Sequence, residues 1–332
     1  MSVGFPGVSA AETLPEPDYL FTFERVAGQT VESSGSTIAA AFLEGSAQVV
    51  SDPEVPTTAD SSQVLQLNGD GPGSSYLRLP DGIFSQANGS DGVTLTMWVK
   101  PSTASTAYMR LFAANQSPLG QTNAGNDGSW SDPDLSFVVG GEVYDATLYI
   151  GVPGQNASTT CKLNYSSHLT KGEWQMLTVT FTDREYHVYL NGQEISYQDA
   201  QQSTGAIAAA LAALFQDDYL QGLTYSALGR SYYTSDSDLK GSIDDFGVYT
   251  QALTAEQVKT LYNSYQIPQD TGEGAVASFD MASESTLSHG ATGFLYGLPL
   301  RWWRGFLPAF WCKRPWTVSS IPAVTRCAPV PL

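Results

Sequence analysis

Apolar and polar residues alternate along much of the chain between residues 19 and 250, and this period of two restricts the possible folds most strongly. In VTLTMWVKP (93–101), every second residue from Val93 to Val99 is apolar, as on one face of a strand. LTVTFTD (177–183) and YHVYL (186–190) repeat the pattern. The second is followed by Asn191–Gly192, a pair that suits a type I′ hairpin turn. These segments predict an antiparallel meander.

Many other short segments have the same character, with loops rich in Gly, Ser, Asn, Asp and Pro between them. So many short strands predict an all-β fold, a two-sheet antiparallel sandwich or jelly roll. The further predicted strands are 19–24, 46–50, 63–67, 75–79, 107–113, 135–139, 143–150, 225–229 and the one containing IDDFGVY (243–249).

Two helices interrupt the strand pattern. Residues 205–216 are rich in alanine and leucine, and we expect them to pack over a sheet edge as an insertion. In residues 254–265, Thr254 as N-cap and Gln257 three positions later form a capping box. This second helix is expected to bury Val258, Leu261 and Tyr262 and to close the sandwich.

Charge and composition exclude several functions. The 332 residues include 33 acidic and 15 basic ones, so the chain repels phosphate backbones, and we expect no nucleic-acid partner. No apolar run reaches the roughly 18 residues of a transmembrane helix, so no membrane span is expected. Cys161 is the only cysteine before residue 299, which leaves neither a disulfide framework nor a cysteine metal site there.

The ends of the chain differ from its body. Residues 1–17 read as a leader, and Val8-Ser9-Ala10 has the small-residue pattern of a signal-peptidase site, which predicts secretion; an ordinary leader is the alternative. A polar linker after Pro268 begins a new segment, 267–298. Residues 299–332 hold five basic residues, no acidic ones and four of the seven tryptophans, so this tail does not belong to the preceding fold.

Five motifs occur in order: LTMWVKP with Trp98, GEWQMLTVTF with Trp174, YLNGQEI, ALGRS and GSIDDFGVYTQALTAEQVKTLY. Together they resemble the concanavalin A-like, laminin-G-like jelly-roll modules of secreted bacterial carbohydrate-active enzymes. The resemblance covers roughly residues 18–266 and implies two curved antiparallel sheets.

The same resemblance implies a structural calcium ion. In that family, acidic side chains of the strand matching IDDFGVY often help to bind calcium, so Asp244 or Asp245 would be a ligand, with Glu24 or Glu32 as further candidates. Many members carry DSSGN after the first strand, where this chain has VESSGST with Glu32. The alternative is that one aspartate is a solvated edge residue and the other caps a turn.

A second, shorter resemblance lies in HGATGFLYGLP (289–299), which is similar to the opening of a (β/α)₈-barrel glycoside hydrolase of the xylosidase and arabinosidase type. It implies an adjoining glycosidase domain. LRWWRGFLPAFWCKRPW follows where such enzymes continue with acidic residues. Our hypothesis is that a frameshift or early end truncated that domain, so that residues 299–332 are non-native and disordered.

Catalytic motifs are absent from the sequence. Retaining glucanases of this fold place three carboxylates on one strand as E-x-D-x-E or E-x-D-x-x-E, and no such string occurs. The nearest start has Glu16 and Asp18 but Phe21 where the third acid belongs. The three histidines are far apart in the sequence. We therefore predict that the chain is not an enzyme.

Sugar binding needs only an aromatic surface and polar groups for hydroxyls, and two loops offer both. Loop 126–134 has Trp130 with Asp132, and loop 231–238 has Tyr232 and Tyr233 with Asp236. Alternatives are solvated loops, a second cation at Asp127, Asp132 and Asp134, or a sugar site on the concave sheet near Tyr144 and Tyr149.

Taken together, the sequence predicts a non-catalytic module, residues 18–266, that binds a polysaccharide or oligosaccharide or braces an adjoining glycosidase in a secreted multidomain enzyme. A protein-interaction or adhesion module of laminin-G type is the alternative.

Overall fold

The computed structural model describes residues 13–58, 62–89, 91–105, 109–118, 134–139, 147–150, 161–165, 169–195, 197–199, 204–231, 233–234 and 236–267. All of them belong to the first of two units into which the chain divides, Met1–Gln269. Within these ranges, no helix is both long and apolar enough to cross a membrane.

Eighteen strands and two helices make up the described part of the chain. The strands are β1 (Tyr19–Phe21), β2 (Val26–Ala27), β3 (Thr30–Glu32), β4 (Ala40–Gly45), β5 (Gln48–Ser51), β6 (Gln63–Asn68), β7 (Ser75–Arg78), β8 (Val93–Pro101), β9 (Met109–Asn115), β10 (Asp134–Val139), β11 (Thr147–Ile150), β12 (Cys161–Tyr165), β13 (Gln175–Phe181), β14 (Tyr186–Leu190), β15 (Gln193–Glu194), β16 (Tyr197–Asp199), β17 (Tyr225–Leu228) and β18 (Lys240–Tyr249). The helices are α1 (Thr204–Leu214) and α2 (Ala255–Asn263).

The strands form two antiparallel sheets, which confirms the predicted sandwich. The first sheet has eight strands in the order β15-β14-β13-β8-β18-β6-β5, with β1 also paired to β18. The second has ten strands in the order β16-β12-β11-β10-β9-β17-β7-β4-β3-β2. Neighbouring strands are often distant in sequence, as expected of a jelly roll.

The core lies between the two sheets and follows from the alternation. In β8, Val93, Leu95, Met97 and Val99 are buried in it, so that Thr94, Thr96, Trp98 and Lys100 lie on the outer face. Leu77 of β7 and Leu228 of β17 enter the core from the second sheet.

A bulge in β9 changes this alternation once. Phe137 of β10 pairs with Phe112, but the next residue, Val138, pairs with Arg110, so Leu111 is an extra residue. Leu111 and Phe112 both belong to the core. Because of this extra residue, Arg110 is not part of the apolar core, although its side chain is almost fully buried.

Helix α2 covers part of the outer face of the first sheet. Thr254 and Gln257 form the predicted capping box. Val258 is fully buried and packs with Tyr189, Tyr249 and Leu253, and Leu261 packs against this group. Helix α1 contributes Ala210, Leu211 and Leu214 to the main core instead of lying only on a sheet edge.

Candidate functional site

A cleft of about 280 Å³ opens on the outer face of the second sheet. Leu77 and Leu228 pair across β7 and β17 and both face the core. The alternating positions Tyr76, Arg78 and Tyr225 therefore belong to the outer face. The lining residues are Tyr76, Arg78, Asp81, Pro118, Tyr225, Ser226 and Ala227. We call this site the tyrosine cleft.

Charged side chains lie around Tyr76 in the cleft. The Arg78 guanidinium lies 4.5 Å from the ring centroid of Phe42, and its Nε atom lies 3.3 Å from Glu44 Oε1. The guanidinium of Arg230 lies 5.3 Å from the ring centroid of Tyr76. Tyr225 is 36% exposed. The cleft therefore combines aromatic surface with fixed hydrogen-bond donors and acceptors.

Loop 231–238 lies next to this cleft through Arg230. Asp238, with 0% of its surface exposed, pairs with Arg230 Nη1 at 3.0 Å. It also accepts hydrogen bonds from the backbone N–H groups of Gly73 and Ser75. Burial raises the pKa of Asp238 to about 6, although the hydrogen bond from Ser75 and the charge of Arg230 oppose the shift. The loop is therefore anchored at its end beside Tyr76.

Two of the predicted sugar-binding residues of that loop lie around Arg110. Asp236 Oδ2 lies 3.3 Å from Arg110 Nη1 and accepts a 2.6 Å hydrogen bond from Ser231 Oγ. The Arg110 guanidinium lies 5.7 Å from the ring centroid of Tyr233. Asp236 thus neutralises a buried arginine. The other predicted residues, Trp130, Asp132 and Tyr232, lie outside the described residues, as do Asp127 and Tyr144.

Asp244 and Asp245 are buried on β18, beneath the end of α2. Asp244 is paired with Trp98 of β8, but the next pair is Gly247 with Thr96, so β18 has one residue more than its partner. Asp245 takes a positive φ of 46° at this bulge, and its N–H donates to Asp244 Oδ1 at 2.8 Å. The two residues are 2% and 8% exposed, respectively.

The electrostatics of this acidic pair are unfavourable for two negative charges. Burial, the charge of Asp245 and the charge of Glu24 raise the pKa of Asp244 well above the usual carboxyl range. Burial and Glu24 also raise the pKa of Asp245, against a hydrogen bond from Tyr265. Within the described chain, neither aspartate forms an ion pair with a basic residue. The pair can hold a proton or accept a cation.

Aromatic side chains enclose the acidic pair. The Trp98 ring lies 5.8 Å from that of Tyr262 and 5.3 Å from that of Tyr265, measured between centroids. Burial and the charge of Asp245 raise the pKa of Tyr249 to about 12. These rings exclude water from the carboxyls, which explains the direction of their pKa shifts.

Of the four predicted calcium ligands, Asp244 and Asp245 are adjacent, and Glu24 is near enough for its charge to raise the pKa of both. Glu24 Oε1 accepts a hydrogen bond from the Gln63 N–H at 3.0 Å. Glu32 is exposed on β3 of the second sheet. Among the described residues, no three acidic, histidine or cysteine side chains are placed to share a metal ion. Protein ligands here would be the two aspartates and backbone carbonyl oxygens, hard donors that suit calcium.

The tyrosine cleft was not predicted from the sequence. Tyr76 and Arg78 stand two positions apart in a predicted strand, and Tyr225 begins another. Alternation alone could have placed Tyr76 and Arg78 on one face. The pairing of β7 with β17 brings Tyr225 beside them, and the sequence around neither strand indicates this pairing.

Several solved structures are similar in fold. Domain 4 of AbnA, a GH43 extracellular arabinanase from Geobacillus stearothermophilus, solved with arabinotriose, has 19% identity and a TM-score of 0.49, covering 75% of this chain and 100% of that chain. The binding domain of Paraclostridial Mosquitocidal Protein 1 has 12% identity and a TM-score of 0.47, covering 75% of this chain and 52% of that one. A Trypanosoma rangeli sialidase has 13% identity and a TM-score of 0.45, covering 74% and 32%.

A comparison with proteins of curated function found no match. The family model for the concanavalin A-like lectin/glucanases superfamily matches residues 70–259, more than half of the chain, and the protein therefore belongs to that superfamily.

Proposed function

We propose that the protein is a non-catalytic carbohydrate-binding module and that the tyrosine cleft is its ligand site. One observation carries this proposal: two tyrosines, an arginine and an aspartate line one cleft on an outer sheet face. Membership of a superfamily of lectins and glucanases supports it.

The chemistry of the cleft matches that of a sugar ring. Tyr225, and the face of Tyr76 that Arg230 does not cover, offer apolar surface for the C–H face of the ring. Arg78 donates and Asp81 accepts hydrogen bonds, so neighbouring hydroxyls can each be satisfied. Tyr76, Arg78 and Tyr225 stand on paired strands, so little conformational entropy is lost when the ligand binds.

Binding without hydrolysis is the activity that the residues of the cleft support. Glycoside hydrolysis requires two carboxyl groups on either side of the scissile bond. Asp81 is the one carboxyl group among the described residues that line the cleft.

The predicted loop residues extend this proposal. Tyr233 and Asp236 belong to the loop that follows Arg230, and Arg230 contacts Tyr76. We propose that this loop borders the ligand, and Trp130, Asp132 and Tyr232 stay candidates for the same surface on sequence grounds.

The wider setting is also a proposal. Val8-Ser9-Ala10 supports secretion, and HGATGFLYGLP (289–299) supports an adjoining glycosidase of which this module would be the accessory part. In that setting, the module would hold a polysaccharide near a catalytic domain.

We further propose that Asp244 and Asp245 bind a structural calcium ion, with Glu24 close to it. A buried acidic pair without a basic partner in the described chain supports this assignment. A bound calcium ion would neutralise the pair and thereby stabilise the contact between β18 and α2.

A glycan array followed by calorimetric titration tests the proposed function. Binding to one class of polysaccharide is expected, and Tyr225→Ala or Tyr76→Ala should weaken it by about 1 to 3 kcal/mol, because stacking surface is lost. Ile38 lies outside the cleft and is 62% exposed. Ile38→Ala is therefore the matched control and should bind normally. Silence on the array, or full binding by both tyrosine variants, would refute the assignment of the cleft.

The alternative of a protein-interaction module receives less support. Four large apolar side chains of the described chain are markedly exposed, and they belong to four separate segments: Val26, Ile38, Tyr225 and Ile267. One of them, Tyr225, already lines the cleft. An adhesion surface would need a larger continuous apolar patch.

A further inference from the structure

A second depression, of about 440 Å³, lies on the outer face of the first sheet. Its lining comes from β6, β8 and β18, together with Asp52, Ser102, Thr103 and Gly172. We call it the polar groove. Because the two sheets turn their outer faces away from each other, it lies on the side of the sandwich opposite the tyrosine cleft.

Strand register explains the polar floor of this groove. Ser242 of β18 pairs with Gln66 of β6 on one side and with Lys100 of β8 on the other, and Lys240 pairs with Asn68. These positions alternate with the core residues of the same strands, so their side chains belong to the outer face. Three neighbouring strands thus present two adjoining rows of polar groups.

The two ammonium groups of the groove are already balanced by carboxylates. Lys100 Nζ lies 3.3 Å from Asp52 Oδ2 and 2.8 Å from Glu54 Oε2. Lys240 Nζ lies 3.2 Å from Asp70 Oδ1. The groove therefore offers both donors and acceptors but little net positive charge, which disfavours an anionic ligand.

Several uncharged groups of the groove have hydrogen-bonding atoms without a partner among the described residues. Gln66 Oε1 accepts from Gln48 Nε2 at 2.7 Å, whereas Gln66 Nε2 donates to no described residue. Asn68 Nδ2 donates to the Ser46 carbonyl, and its Oδ1 atom has no donor among the described residues. Ser242 Oγ also has no hydrogen-bond partner among the described residues. Such mixed donors and acceptors fit hydroxyl groups, each of which both donates and accepts.

We propose that the polar groove is a second saccharide site, which binds a neutral sugar by its hydroxyl edges. This inference rests on the proposed saccharide binding. The described residues that line the groove include no aromatic side chain, so hydrogen bonds provide the affinity there, whereas stacking contributes in the tyrosine cleft. Sites on opposite faces allow one module to hold two polysaccharide chains, and two contacts to an insoluble polymer increase its retention.

Calorimetric titration with neutral arabino-, xylo-, manno- and gluco-oligosaccharides tests the inference. The ligand that binds should show two sites per chain. The double variant Gln66→Ala with Ser242→Ala should weaken one site at least about fivefold, because each lost hydrogen bond to the ligand contributes roughly 1 kcal/mol. Gln29→Ala, which removes an exposed amide in the turn between β2 and β3, is the control and should keep both sites.

The tyrosine variants separate this inference from the proposed function. Tyr225→Ala should remove the other site and leave the groove site intact. If the titration shows one site, and that site is lost in Tyr225→Ala but unaffected by the groove variant, the inference is overturned and the proposed function stands. One site that depends only on the groove would support the inference and refute the cleft. No binding at all would overturn both.

Four further measurements test how these titrations are interpreted. Lys240→Ala should weaken the groove site, whereas Lys259→Ala, an exposed lysine on α2, should not. Oligogalacturonates serve as the anionic probe, and tighter binding of these at the groove than of any neutral sugar would contradict the assigned ligand class. An unchanged melting temperature of each variant confirms that the fold is intact. The last measurement needs no variant: when the wild type is saturated with the oligosaccharide, residues 101–105 should be protected from hydrogen exchange.

Discussion

The adjacent carboxyls of Asp244 and Asp245 show how single residues can define a site. Their position in a strand was evident from the sequence, and so was the question of what balances them. Their burial was not, because it depends on the bulge after Asp244 and on the rings of Tyr262 and Tyr265. These features come from distant parts of the chain.

Stability should depend on pH through this pair. Raised native pKa values mean that the folded chain holds protons that the unfolded chain has already released above about pH 4. The free energy of unfolding should therefore be highest in acid and fall as pH rises through the raised pKa values. Melting temperatures in excess chelator should decrease between about pH 5 and about pH 8.

Added calcium and the substitution Asp244→Asn both test this prediction. Excess calcium should restore the melting temperature at the upper end of that range, because an ion bound only to the native state stabilises it. Asp244→Asn should flatten the pH dependence and abolish the calcium effect. Identical melting curves with chelator and with calcium would argue against calcium binding at this pair.

Asp238 permits a second prediction for a single residue. Asp238→Ala should reduce the free energy of unfolding by about 3 to 5 kcal/mol, because it leaves the largely buried Arg230 and two backbone N–H groups without their acceptor. Asp70→Ala, at an exposed carboxylate that pairs with Lys240, is the control and should cost less than about 1 kcal/mol. Urea denaturation measures both, and equal effects would contradict the role assigned to Asp238.

Among the elements, helix α2 connects sequence and structure most directly. Its capping box was predicted from Thr254 and Gln257, and the structure confirms it, with Thr254 Oγ1 accepting from the Gln257 N–H at 3.2 Å. The helix covers Trp98 and the acidic pair. Weakening its start should therefore affect more than local helix content.

Thr254→Ala should lower the free energy of unfolding by about 1 kcal/mol, since a first-turn N–H loses its acceptor. Thr260→Ala, inside the same helix, should be neutral or slightly stabilising, because alanine has the higher helix propensity. Thermal denaturation compares them. A larger loss for Thr260→Ala than for Thr254→Ala would show that the cap contributes nothing.

Most of the longer elements were predictable and most of the very short ones were not. The alternation in 93–101 and 186–190 identified β8 and β14, and Asn191–Gly192 has the expected positive φ angles of 51° and 72°. Strands of two or three residues, such as β2, β3 and β15, are too short to show a period. The small residues at the start of β4 (AAFLEG) also lack the β-branched pattern of a strand.

At the scale of the whole molecule, the sandwich was predictable and its surfaces were not. Regularly spaced alternating segments suffice to predict two packed antiparallel sheets, and the superfamily assignment confirms that part of the resemblance. Strand order depends on contacts between distant segments, such as β7 with β17 and β18 with β6. Both the tyrosine cleft and the polar groove are built across such pairs.

The tail supplies the last prediction, because its composition contrasts with that of the rest of the chain. Residues 299–332 carry five basic and no acidic residues, so residues 1–298 have 10 basic and 33 acidic ones. All described elements end before this segment. Deleting residues 299–332 should leave the melting temperature unchanged and, since four tryptophans are lost, reduce aggregation.

A second truncation provides the contrast for this experiment. Ending the chain after Thr254 also removes α2, which exposes Tyr249 and Trp98 and should lower the melting temperature strongly. Calorimetric scans of both truncated proteins, with light scattering for aggregation, give the comparison. If removal of 299–332 alone destabilised the protein as much as removal of α2, the tail would be part of the folded module, and its proposed origin as a non-native extension would be refuted.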